Sequence, residues 1–191
     1  MGFSGHPVFA RSPRPPAAAP VFAGLGPEPG DAVHAGEPRP GGWQTLELTH
    51  GLWSDDDLPA LVARTGAPVC VADVSDSGVA LVTGLGPGGR RRRAWLNLDN
   101  AAALLTEKPE DVDDTGLWIG NPEFDEAVRR KRAELDADVP ADAAGALAWA
   151  AAERTWIKEL LRAHEPFVED LFDGLLDALG FPRTAQSSPE A

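Results

Sequence analysis

Glycine and proline crowd the start of this chain, and that limits where a fold can begin more than any other feature. Of the first 42 residues, 17 are Gly or Pro, whereas the other 149 carry only 21. Each proline removes a backbone donor. A run such as Arg11-Ser12-Pro13-Arg14-Pro15-Pro16-Ala17-Ala18-Ala19-Pro20 also has too few large side chains to offset the entropy of ordering. Residues 1–42 therefore read as a disordered, partly polyproline-like arm. A single α+β domain over 43–182 and a disordered tail over 183–191 follow. The arm repeats a tetrapeptide, Pro7-Val8-Phe9-Ala10 and Pro20-Val21-Phe22-Ala23. This is a doubled docking motif or a coincidence of biased composition, and the composition favours coincidence. No apolar signal-peptide core follows the start.

Large apolar residues are scarce. Leu, Ile, Val and Phe total 43 of 191, so the domain needs its patterned apolar positions for its own core. No stretch approaches the roughly 20 consecutive apolar residues of a membrane span. The single Cys cannot form an intramolecular disulfide, which fits a reducing, cytoplasmic location.

Charge is as uneven as proline. The net charge is −13. Residues 1–98 hold eight basic and nine acidic side chains, and residues 99–191 hold nine basic and 21 acidic. The C-terminal half thus carries −12, which disfavours nucleic acid and suits a basic partner.

The patterning predicts a small antiparallel β-meander of three to four strands packed against four to five C-terminal helices. Gln44–Thr49 alternates polar and apolar as a half-buried strand does. Ser54 and Asp55-Asp56-Asp57 mark a helix start, and Gly66 marks its end. Pro68–Asp73, Val79–Val82 and Arg93–Leu98 read as strands joined by an Asp76-Ser77-Gly78 turn and a Gly84–Gly89 loop. Asp99 or Asn100 caps a short helix. Asn121-Pro122 begins another, ending near Leu135, and Pro140 opens the next. Phe167, Val168, Leu171, Phe172, Leu175, Leu176 and Leu179 form one wide stripe ended by Gly180.

Few constellations meet the demands of catalysis. Gly84-x-Gly86-x-x-Gly89 has dinucleotide-binding spacing, but that chemistry needs a helix N-terminus after the glycines, and a strand-like arginine run follows instead. Asp73-Val74-Ser75-Asp76-Ser77-Gly78 starts like a calcium loop and lacks the closing Glu. Cys70 lies between valines, the setting of an inert thiol. His6 and His34 fall in the arm. His50 follows a strand, and His164 sits beside Glu165 and Glu169; Glu169, Asp170, Asp173 and Asp177 read as a solvated helix face. No metal site, cofactor or catalytic residue is expected.

The leading expectation is a non-catalytic acidic interaction protein, such as an immunity- or antitoxin-like binder of a basic protein. Its candidate partner-binding residues are Asp113, Asp114, Glu123, Asp125 and Glu126, with Trp118 as an aromatic anchor. The alternative is a phosphate or nucleotide sensor, or an enzyme, with Gly86, Gly89, Arg91 and Arg92 as its anion site. The same Arg90–Arg93 run also reads as a solvated hairpin tip or as the intramolecular partner of the acidic helices. Oligomeric state has no signature in the sequence.

Overall fold

The computed structural model describes residues 2–11, 33–49, 51–54, 56–107, 121–152 and 156–183. Among them is one six-stranded antiparallel sheet with strands β1 (Gly5–Arg11), β2 (Val33–Ala35), β3 (Trp43–Thr49), β4 (Val69–Ser75), β5 (Val79–Leu85) and β6 (Arg91–Leu96). Their spatial order is β2-β3-β1-β4-β5-β6. The helices are α1 (Asp57–Thr65), α2 (Leu98–Leu105), α3 (Pro122–Ala150), α4 (Ile157–Arg162) and α5 (Val168–Ala178).

The α+β class and the β4-β5-β6 meander agree with the patterning. The strand count does not, because β1 and β2 come from the segment read as an arm. Strand β1 is interior, pairing with β3 on one edge and β4 on the other. The first copy of the tetrapeptide repeat is therefore core: Val8, Phe9 and Ala10 are all buried. The second copy, the proline run and the tail beyond 183 lie outside the described residues. His6, expected to be loosely held, is buried on β1 with its Nε2 3.5 Å from Asp73 Oδ1.

The sheet separates two apolar layers. On one face Phe9, Cys70, Ala72, Val82, Ala94 and Leu96 meet α2, α3, α4 and α5. On the other, Val8, Ala10, Leu46, Leu48, Val69 and Val71 meet Leu58, Leu61 and Val62 of α1. Helix α5 buries the expected stripe except for Phe167, which is 59% exposed just before its first turn. Helix α3 runs unbroken through Pro140, where the sequence indicated two helices. Buried Val139, Ala143 and Trp149 on either side of the proline pack into the core and offset its missing hydrogen bond.

The hairpin between β4 and β5 turns through Asp76 and Ser77, both at positive φ (49° and 52°), a conformation costly for non-glycine residues. Neighbouring segments hold it there. The Ser77 amide donates to the Phe3 carbonyl (2.7 Å), the Val168 amide donates to the Ser77 carbonyl (2.8 Å), and Ser77 Oγ donates to Glu169 (2.6 Å). Buried Asn97 ties the same turn to the α4–α5 connection by donating to the carbonyls of Gly78 and Glu165.

A buried arginine joins the start of the domain to its end. Arg39, whose side chain is 3% exposed, pairs with Asp177 and donates to Asp173 at 2.6 Å and to the Phe181 carbonyl. Its guanidinium lies 5.8 Å from the centre of the Phe9 ring. Phe9 in turn stacks on Trp43 at 4.9 Å, and Phe181 meets both rings. Asp173, Asp177 and Glu169 are therefore working partners of other elements, not the solvated face that their spacing indicated. Arg39→Leu is expected to cost about 3 kcal/mol in urea unfolding, the low end for breaking a buried pair, because the aspartates are a third exposed. Arg183, 60% exposed and 3.4 Å from the same aspartates, is expected to cost within about 1 kcal/mol as Ala.

Candidate functional site

Two surfaces carry the residues singled out from the sequence, and helix α3 contributes to both. At its N-terminus Asn121 Oδ1 accepts from the amides of Glu123 (2.9 Å) and Phe124 (3.2 Å), and Pro122 occupies the first turn. This is the capping chemistry that the Asn-Pro pair predicts. Phe124 is buried and anchors the turn, leaving Glu123, Asp125 and Glu126 exposed around it. Glu126 pairs with Arg129 at 2.7 Å, and that hydrogen bond holds its carboxyl below the ordinary range. Helix α2 packs along α3, tied by Arg132 to Asp99 at 2.8 Å. It leaves Leu104 and Leu105 57% and 43% exposed. Asp113, Asp114 and Trp118 lie outside the described residues.

Further along α3, Arg132 and Arg162 converge on Asp136 (3.4 and 2.7 Å), and the Arg162 hydrogen bond holds that carboxyl down. Part of the acidity of this half is thus consumed within the fold. At the first turn Glu123 and Asp125 remain exposed, while Glu126 is paired with Arg129.

The second surface lies where α3 crosses β5 and β6. Here two glycines permit close approach. A Cβ on Gly84 would sit 3.1 Å from the Trp149 ring, and one on Gly145 would sit 2.9 Å from Arg92 Cδ. Trp149 Nε1 donates to the carbonyls of Val69 (3.2 Å) and Leu85 (3.3 Å). Gly84 belongs to β5, and the connection from Gly86 leads into strand β6, so no helix amides face these glycines. Strand alternation divides the arginine run: Arg92 turns toward α3, and Arg91 and Arg93 turn to the opposite face. The structure therefore brings Gly86 and Arg92 together, with Arg90 and Trp149, around a hollow of about 320 Å³. Gly89 is not part of that lining, and Arg91 meets Arg92 only along the strand's outer edge. Neither Arg90 nor Arg92 forms an ion pair among the described residues.

Behind Arg92 a small cleft of about 30 Å³ lies among Cys70, Val82, Gly84, Ala146, Trp149 and Leu175. That is room for a water molecule or two, too small for an organic ligand. Burial pushes the Cys70 thiol far above its ordinary range, so it is no nucleophile at neutral pH. Asp142 stands at the mouth of the cleft. Burial of its carboxyl, with Asp138 adding to the effect, pushes it up to about 6.

Asp142, Gly145 and Trp149 escaped the sequence-based site. Their signal was present: positions 142, 145 and 149 recur at the spacing of one helix face. What the spacing does not give is the neighbour of that face, because its approach to β5 and β6 depends on tertiary packing. No protein-family model, curated protein or solved structure matches the chain.

Asp142 has a pH signature. Its folded-state pKa of about 6 exceeds the ordinary 3.8, so the folded state binds the proton more tightly and gains stability below that window. The gain is lost as pH rises through about 6. Asp142→Asn is expected to match wild type in thermal melts at pH 3.8 and to exceed it increasingly up to pH about 6. A constant difference across that range would contradict the assignment.

Proposed function

We propose that this protein is a non-catalytic, acidic interaction protein that binds a basic protein partner through the surface where α2 meets the first turn of α3. It would act as immunity or antitoxin proteins do when they cover a cationic surface. Two observations carry the reading: Glu123, Asp125 and Glu126 are exposed on a capped turn of α3, and α2, which packs against α3, leaves Leu104 and Leu105 exposed. Carboxylates steer a cationic partner and speed encounter. The exposed leucines of α2 supply apolar area that survives salt. Because the turn is preorganised by Asn121, binding orders little backbone.

A phosphate or nucleotide sensor built on Gly86, Gly89, Arg91 and Arg92 has less support. Alternation places Arg91 and Arg92 on opposite faces, and the space behind Arg92 is too small for an organic ligand. Its favourable feature is the shared hollow of Gly86, Arg90 and Arg92.

The test is capture at low salt from a lysate of the cell that makes the protein. Wild type is compared with Glu123→Lys/Asp125→Lys/Glu126→Lys. The reading predicts that a basic protein is retained by wild type, released by salt, and bound about tenfold or more weakly by the triple variant. Retention that the triple variant leaves unchanged would contradict it.

A further inference from the structure

The outer edge of β6 supports an inference independent of the α2–α3 surface. Among the described residues β6 pairs only with β5, so the sheet ends there. An edge strand presents a row of backbone donors and acceptors that another strand can satisfy. Beside this edge runs a groove of about 410 Å³ between Arg91–Arg93 and Ala141, Asp142 and Gly145 of α3. It meets the 320 Å³ hollow at Arg92, which lines both. The helical wall is low. Ala141 and Gly145 line the groove and Ala148 lines the adjoining hollow, with Asp142 the one longer side chain on this wall. A strand added at the usual spacing of about 4.8 Å would run beside β6 and meet mostly small side chains.

We propose that this edge accepts an acidic, extended peptide as a seventh strand. The backbone of β6 supplies the pairing, and the arginines select the charge. A second β6 brought edge to edge would set arginine against arginine, so the same residues that deter self-pairing welcome a strand bearing Asp or Glu. Against the groove's own carboxylate, Asp142, stand Arg92, which turns toward α3, and Arg90 at the adjoining hollow, neither of them in an ion pair among the described residues. A nucleic acid fits less well. It gains nothing from a β-edge, and the nearby Trp149 is buried and offers no stacking face.

The test uses two blocked synthetic peptides, one alternating Glu with Val and one alternating Lys with Val, titrated into the full-length isotope-labelled protein at low salt. The Glu peptide is expected to bind, with backbone shifts and new exchange protection concentrated in Arg91–Leu96. Arg90→Glu/Arg92→Glu is expected to weaken binding about tenfold or more. Ala141→Trp/Ala148→Trp, at exposed helical positions, is expected to block the groove without changing the thermal melt. The triple variant at Glu123, Asp125 and Glu126 is expected to bind the peptide as wild type does. That separates this surface from the proposed partner surface. Equal binding of the Lys peptide, or binding that leaves the β6 amides unperturbed, would overturn the proposal. So would the same shifts produced by inorganic phosphate or single-stranded DNA, which would reassign the edge to phosphate. Self-association abolished by Arg92→Glu would assign it to a second copy of this chain.

Discussion

The pairing of Gly5–Arg11 along both of its edges is the constraint on which the rest of the structure depends. Without it the sheet falls into β2-β3 and β4-β5-β6, two pieces with no shared hydrogen bonds. Strand β1 also supplies both apolar layers, with Phe9 facing the helices and Val8 and Ala10 facing α1. In a chain with only 43 large aliphatic and Phe residues, that double use matters, because little other apolar mass is available to replace it. Arg39 reinforces the arrangement from the same end of the chain. It closes over Phe9 and holds Asp173, Asp177 and Phe181 in place, so the last helix is fixed by residues that precede β3.

Those N-terminal residues were also the least legible in the sequence, for physical reasons. A strand buried on both faces shows no period-2 alternation, and Gly5 and Pro7 are poor strand residues. The structure accommodates Pro7 by interrupting a ladder. The β1–β4 register joins Gly5 to Val74 and then Val8 to Val71, while His6 and Pro7 are registered only with β3, at Leu48 and Glu47. Where one face is buried and the other wet, the pattern was readable, as in β3, α1 and α5. The turn at Asp76-Ser77 was likewise legible from its residue types. Pro140 misled in the opposite direction, since packing around Val139 and Ala143 carries the helix through a residue that ordinarily ends one.

The candidate surfaces show the same division. Charge asymmetry located the acidic start of α3, and the Asn-Pro cap gave its orientation. The neighbouring exposure of Leu104 and Leu105 depends on how α2 packs and has no sequence signature. At the other end of α3, the arginine run was conspicuous as a cluster, but only strand alternation shows that it is not one site. Glu123 and Gly145 lie 22 residues apart on one helix, roughly 33 Å at the helical rise. The acidic turn and the arginine-bearing edge are thus separated by a helical spacer several times a Debye length of about 10 Å.

Amide hydrogen exchange on the intact chain tests the central claim most directly. If β1 is the interior strand, the amides of Val8, Phe9 and Ala10 exchange only with global unfolding, as slowly as those of Cys70 and Val71. Exchange of the three β1 amides at the rate of an exposed peptide, with Cys70 and Val71 still protected, would contradict the account.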